Sequence, residues 1–355
     1  MQNGISLYLG LDNTPEENLQ LIETAHKYGI KRIFTSLHIP ETDTAALQSE
    51  LQTVLQKARI YNMEVISDVS PHTLSLLNLA KLDTEALQQF GISTVRLDFG
   101  YSEKEIAALS KRIKVQFNAS TLTKEFLDNL QFYQTDFQCI DALHNFYPRA
   151  GTGLSEAFLQ KQNKLLHAYG VQTAAFVPSY NRARSPIKKG LPTLEAHRYK
   201  PVSSAAQQLV MLETDSVFIG DSLPTEKEMK ILADLTTDYT TLNVKCLTQN
   251  QFVKNMLTEN IFTVRVDGAE MALRLQEGRP ICRDKKIYPE YTAKRKCGMI
   301  TLDNMNSGRY AGELQIVMKG QELDKSVNVI GKVLECDMIL LKYLKPDSKI
   351  KFEWV

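Results

Sequence analysis

Residues 94–119 read TVRLDFGYSEKEIAALSKRIKVQFNA, and this stretch decides the architecture. An apolar run of strand length, Thr94–Gly100, gives way to a helical pattern over Glu103–Arg112 and then to a second apolar run, Lys114–Ala119. Continuous apolar strands joined by helices indicate a parallel sheet buried on both faces. Working outward, the same unit recurs. Apolar runs fall at Gly4–Gly10, Lys31–Ile39 and Glu64–Val69 before it, and at Phe137–Leu143, Val171–Pro178 and Ser216–Asp221 after it. Helical patterns fit between them at Pro15–Tyr28, Thr44–Asn62, Thr123–Leu130, Ser155–Tyr169, Ser203–Leu212 and Thr225–Leu235. Asn13-Thr14-Pro15-Glu16-Glu17 opens the first helix with a cap, a proline and acidic residues. Gly29, Gly91 and Gly170 stand as helix stops just before the next strand. Eight such units in about 235 residues match a (β/α)8 TIM barrel better than an open doubly wound α/β sheet.

The rhythm breaks after Leu235. From Ile261 onward the runs are short and β-rich: Phe262–Val266, Gly298–Leu302, Glu313–Met318, Val327–Val333 and Ile350–Trp354. They predict a small β-barrel or β-sandwich domain. The boundaries expected are 1–240 for the barrel and 250–355 for the β domain, with a linker near 236–250.

Composition bounds the function. Among 355 residues, 42 Lys and Arg balance 41 Asp and Glu, a net charge of +1 that argues against a nucleic-acid partner. A 43% hydrophobic content supports a large core. No run reaches the roughly 18 apolar residues of a membrane span. The N-terminus shows neither a basic region nor a long apolar stretch, so no secretory signal and no membrane association are expected. The five cysteines are scattered without a Cys-x-x-Cys pair and read as reduced thiols of a cytoplasmic protein.

Barrel enzymes place their chemistry at the carboxyl ends of the strands. There the sequence puts Ser36, His38 and Glu41 after strand 2, Asp68 after strand 3, Asp98 after strand 4, and Asn118 with Ser120 after strand 5. His144-Asn145-Phe146-Tyr147-Pro148-Arg149 follow strand 6, and Asp221-Ser222 follow strand 8. The longest break, 179–201, carries Arg182, Arg184, Lys188, Lys189 and Arg198. Clustered guanidinium groups in a long loop suit a phosphate or carboxylate ligand, and Arg149, Gly151 and Gly153 reinforce that reading. Strand 1 ends without the lysine a pyridoxal-phosphate enzyme would place there, and without a His-x-His metal pair. No phosphate-cradling glycine motif follows a strand, so no nucleotide or other cofactor is expected. A mixed site using His38 or His144 with carboxylates stays open. Several carboxylates beside the aromatic residues Tyr8, Phe99, Tyr101, Phe146 and Tyr147 fit glycoside hydrolysis, which needs an acid and a base or nucleophile. A metal-dependent isomerase or lyase acting on a sugar phosphate, and a non-catalytic sugar-phosphate sensor, remain as alternatives.

Seven strings in order resemble the bacterial 6-phospho-N-acetylmuramidase family. They are Phe34-Thr35-Ser36-Leu37-His38-Ile39-Pro40-Glu41, Leu97-Asp98-Phe99-Gly100, Phe117-Asn118-Ala119-Ser120, His144 through Arg149, Gly190 through Arg198, Ile219-Gly220-Asp221, and Arg309-Tyr310-Ala311-Gly312-Glu313-Leu314-Gln315-Ile316. The resemblance covers essentially the whole chain. It implies a TIM barrel followed by a cyclophilin-like β-barrel. It also implies a cytoplasmic hydrolase that splits N-acetylmuramic acid 6-phosphate from N-acetylglucosamine in cell-wall recycling. On that basis Asp98 and Glu195 are the first pair for acid and base or nucleophile, with Asp221, Asp68 and Glu41 behind them. Asn118, His144 and Tyr147 would hold sugar hydroxyls or the acetamido group. Arg149, Arg184, Arg198 and Arg309 are the candidates for the 6-phosphate and the lactyl carboxylate. His197 and Tyr310, within the same strings, complete the expected substrate contacts. The expected partner is a small phosphorylated amino-sugar disaccharide, and a homo-oligomer is left open.

Overall fold

A computed structural model describes residues 1–36, 44–68, 74, 77, 79, 82–97 and 100–355, excepting the side chains of 44–48. The chain divides into two compact units, Met1–Leu235 and Thr236–Val355.

The first unit is a closed, all-parallel eight-stranded barrel, each strand paired with the next and β1 with β8. Its strands are β1 (Gly4–Leu7), β2 (Arg32–Thr35), β3 (Glu64–Asp68), β4 (Thr94–Leu97), β5 (Lys114–Asn118), β6 (Ile140–Leu143), β7 (Gln172–Val177) and β8 (Ser216–Ile219). Between them run α1 (Pro15–Lys27), α2 (Thr44–Ile60), α3 (Thr84–Phe90), α4 (Glu103–Ser110), α5 (Lys124–Phe132), α6 (Glu156–His167) and α7 (Val202–Met211), and α8 (Glu226–Ala233) follows β8. Local chemistry fixes where the helices begin. Thr14 with Glu17, Ser102 with Glu105, and Thr225 with Glu228 form reciprocal capping boxes at α1, α4 and α8. α3 lies between the runs that end at Val69 and begin at Thr94; the sequence marked its end, at Gly91, without giving the helix a range.

The barrel interior is layered. Near the amino ends of the strands, Arg32 Nε donates to Glu64 at 2.8 Å and its Nη2 donates to Asp141. Lys114 Nζ lies 3.0 Å from Glu64 and 3.1 Å from Asp141. Thr94 and Gln116 donate to the same two carboxylates. Burial opposes ionisation of Asp141 and Glu64, but Arg32 and Lys114 overcome it and hold both below the ordinary carboxylate range. Above this network sits an apolar layer of Tyr8, Phe34, Ile66, Leu143, Ala174, Phe176, Leu191 and Phe218, with Leu11 and Phe146 packed on it. Its rings meet edge to face; Phe34–Phe176 and Phe146–Phe176 have centroids 5.4 and 5.1 Å apart.

The second unit is a seven-stranded sheet in the order β10-β15-β9-β14-β12-β13-β11. Its strands are β9 (Thr240–Cys246), β10 (Ile261–Thr263), β11 (Ala272–Leu275), β12 (Met299–Asp303), β13 (Leu314–Val317), β14 (Val327–Val333) and β15 (Lys349–Trp354). A bridge between Val264 and Leu275 brings the two edges together and nearly closes it. The stretch expected as a linker, 236–250, instead carries β9, which lies between β15 and β14. Its alternating burial, with Thr240, Leu242 and Val244 inward, is that of a half-buried strand. The helix α9 (Gln251–Glu259) follows it directly. Among the described residues no helix is long and apolar enough to cross a membrane.

Candidate active site

The carboxyl ends of the barrel strands carry a loop system held by three polar devices. Asp221, just past β8, is fully buried, and its oxygens accept the backbone N–H groups of Ser179 (2.8 Å), Leu191 (3.1 Å) and Arg184 (3.0 Å). One side chain thus fastens the loop after β7 at three points. Burial outweighs these donors and the Arg184 charge, and pushes the Asp221 carboxyl up to about 6.

Arg198 is the second device. Its Nε and Nη2 donate to Glu195, both at 2.7 Å. Its Nη1 donates to the Lys189 and Gly190 carbonyls, and Nη2 also donates to those of Tyr147 and Arg149. All five N–H donors of the guanidinium are therefore engaged. Glu195 further accepts from the backbone N–H of Gly151 and Gly153, at 2.9 and 2.8 Å. A Cβ at Gly153 would lie 2.7 Å from Glu195 Oε2, so only glycine admits this approach. Arg198 foremost, with the two N–H groups, holds the Glu195 carboxyl down at about 2 against partial burial.

The third device is Asp12, in the loop after β1. It accepts from the hydroxyl and N–H of Ser185 and from the Ser222 hydroxyl. Arg182 beside it pairs with Glu17 at 2.6 Å. The sequence reading took this segment only as a helix cap. An aspartate five residues before the capping glutamate Glu17 was the available sign of a second use.

Arg184 differs from both other loop arginines. Its guanidinium carbon lies 4.8 Å over the Tyr8 ring and 5.1 Å over the Phe146 ring. Its Nε is buried and has no hydrogen-bond partner among the described residues. Within the barrel mouth Arg96, on β4, donates to the Leu143 carbonyl and to Asn145 Oδ1, and its Nε lies 3.5 Å from Asp68. The Asp68 side chain is 22% exposed. Arg96 was missed from the sequence, although a cation inside an apolar strand is its own signal.

Two expected substrate contacts are corrected. His144 is buried, its Nδ1 3.1 Å from Ser120 Oγ and its Nε2 3.0 Å from Asn163 Oδ1. The Asn163 amide nitrogen donates to the Leu212 carbonyl and to Thr214, so its oxygen faces the ring and His144 carries its proton on Nε2. His197 is equally buried, with Nε2 on Gln208 Oε1. Burial pushes both imidazoles down to about 4 and keeps them neutral. They pack the barrel against its helices, and neither reaches the mouth. Arg198 is a third correction, since its donors are spent on the loops. Glu195, held near 2, is ionised, which takes the acid's role from it and leaves that of base or nucleophile.

Asn118 accepts from the Ser120 N–H at 3.0 Å and turns the chain after β5. Tyr147 is half-buried and Arg149 exposed on the loop after β6. Asp98 and Glu41, like His38 and Phe99, lie outside the described residues. Arg309 and Tyr310 belong to the second unit, where Arg309 Nη2 donates to the Tyr310 hydroxyl at 2.8 Å. No group of three or more His, Cys, Asp or Glu side chains is placed to hold a metal among the described residues.

Comparison with known proteins yields a family. A family described as "6-phospho-N-acetylmuramidase, N-terminal" matches residues 3–234, and its C-terminal counterpart matches residues 240–353. The structure of an uncharacterized B. cereus protein is 27% identical, covers 99% of each chain and superposes with a TM-score of 0.87. A conserved Enterococcus faecalis protein of unknown function is 30% identical, covers 100% of this chain and 96% of its own, with a TM-score of 0.79. No curated protein matches.

Proposed function

The chain belongs to the 6-phospho-N-acetylmuramidase family, and from that premise we propose that its barrel hydrolyses the N-acetylmuramic acid 6-phosphate–N-acetylglucosamine disaccharide in the cytoplasm, as a step of peptidoglycan recycling. The observation that carries this reading is Arg184. A guanidinium laid on two aromatic rings at a barrel mouth, with a buried N–H left over, suits a phosphate or carboxylate brought by the substrate. Arg149, exposed on the neighbouring loop, is a second candidate for the same anion.

Hydrolysis of a glycosidic bond requires a proton donor for the leaving oxygen and a second carboxylate as base or nucleophile. We assign these tasks to Asp98 and Asp68. Asp68 is a partly exposed carboxylate at the mouth, its Oδ1 3.5 Å from Arg96 Nε. Asp98 lies two residues beyond Arg96 in the sequence. Asp221, Glu195 and Arg198 act as positioning residues that hold the anion-reading loop, while Asn118 and Tyr147 line the sugar.

The test is incubation of the purified protein with this disaccharide and, separately, with its unphosphorylated twin, followed by mass spectrometry. Cleavage confined to the phosphorylated sugar is expected. Cleavage of both would remove the anion reader, and cleavage of neither would overturn the hydrolase reading.

A further inference from the structure

The loop after β7 is fastened from beneath by Asp221, Arg198 and Asp12, yet its two tyrosines are left in solvent. Tyr180 is 47% exposed and Tyr199 73% exposed. Their rings stack, with centroids 6.5 Å apart and planes 19° from parallel. Gly190, at φ +75°, lies against Tyr180, where an added Cβ would come within 2.8 Å of the hydroxyl. The Tyr180 ring therefore rests on a backbone that Arg198 and Asp221 immobilise on either side of Gly190. Another exposed aromatic pair, Phe132–Tyr133 at the end of α5, meets edge-on at 81° and does not present parallel rings. It also sits where the chain turns back toward the amino ends of the strands, away from the mouth.

We infer that Tyr180 and Tyr199 form a stacking platform for the pyranose ring of the leaving, uncharged amino sugar. This rests on the hydrolase reading above. A pyranose presents axial C–H groups on one face, and the negative π-face of an aromatic ring attracts them. The leaving sugar carries no phosphate, so an arginine gains little from it. Flat contact with a rigid aromatic is a recognition open to a neutral ring beside its hydrogen bonds, and tyrosine supplies that area at low entropic cost. The two sugars are thus held by different forces, the anionic one by Arg184 and the neutral one by the stacked tyrosines.

Steady-state kinetics separate the two claims when the disaccharide is compared with the methyl glycoside of N-acetylmuramic acid 6-phosphate, which lacks the second sugar. Tyr199→Ala is expected to raise KM for the disaccharide about five- to tenfold and to leave the methyl glycoside within about twofold, with Tyr199→Phe behaving as wild type. Equal effects on both substrates, or none on the disaccharide, would overturn the platform while leaving the hydrolase intact. If the wild type turns over neither substrate, the hydrolase reading falls. Saturation-transfer NMR with methyl N-acetylglucosaminide then judges the platform alone: ring-proton saturation lost in Tyr199→Ala supports it, and no saturation in the wild type refutes it.

Discussion

At the amino end of the barrel, Arg32 and Lys114 meet Glu64 and Asp141 in a closed set of ion pairs, whereas at the carboxyl end Arg184 rests on two rings with its Nε unpartnered among the described residues. Both ends bring cations into a low-dielectric interior, and only the lower set is self-sufficient. Charges that compensate one another fix the strands and leave nothing to bind. A cation whose surroundings are aromatic and whose donor is idle is what the proposed anion reading requires.

The sharpest way to break this comparison is to unbalance the lower end. Asp141→Ala leaves Arg32 and Lys114 facing Glu64 alone in a buried site, and urea denaturation is expected to report a loss of about 3–5 kcal/mol. A smaller loss would mean that water reaches the barrel floor. At the upper end the consequence moves from folding to function. Arg184→Ala is expected to cut kcat/KM on the phosphorylated disaccharide by roughly 10- to 100-fold, the worth of charge-assisted hydrogen bonds, with little change in the urea midpoint. If the urea midpoint fell as far as in Asp141→Ala, Arg184 would belong to the scaffold.

Two loop carboxylates sharpen the contrast through pH. Glu195, held at about 2 against an ordinary 4.5, contributes stability that is present above about 4.5 and is lost as pH falls toward 2. Asp221, raised from 3.8 to about 6, behaves oppositely: its contribution is full below 3.8 and is lost as pH rises through 6. Thermal melts of Glu195→Gln should therefore flatten the acid limb below pH 4.5. Those of Asp221→Asn should remove a decline between pH 4 and 6. Glu195 is partly exposed, so the effect of Glu195→Gln is the weaker of the two. The smallest effect is expected at Arg149→Ala, a change at an exposed position that should leave the melting temperature unmoved and raise KM less than about threefold. A larger rise would make Arg149 the principal anion reader in place of Arg184.

The barrel was legible because its signals are local and repeated. Gly91 shows this: expected as a helix stop, it closes α3 in the left-handed conformation at φ 102°. In the second unit the same logic failed at β9. Thr240–Cys246 alternates threonine, asparagine and lysine with leucine and valine, a pattern whose meaning depends on partners about 90 to 110 residues away. At the mouth the residue types were readable and their duties were not. Arg184 and Arg198 stand in one charged loop, and nothing local separates an arginine with five engaged donors from one with an idle Nε. Carbonyls contributed by the loop after β6 decide the matter. Likewise His144 and His197 read as substrate contacts because the asparagine and glutamine that take up their Nε2 protons lie on the helices α6 and α7.

The position of β15 bears on biogenesis. This strand, Lys349–Trp354, runs parallel to β9 and separates it from β10. Until residues 349–354 have left the ribosome, β10 therefore has no neighbour and β9 has an open edge, while every strand of the barrel is already available by residue 219. Synthesis presents the cell with a closable barrel trailed by an open, edge-exposing sheet, the kind of nascent surface that chaperones protect. Deletion of residues 349–354 should leave barrel fragments in the soluble fraction of a proteolysed lysate and destroy the sheet behind them.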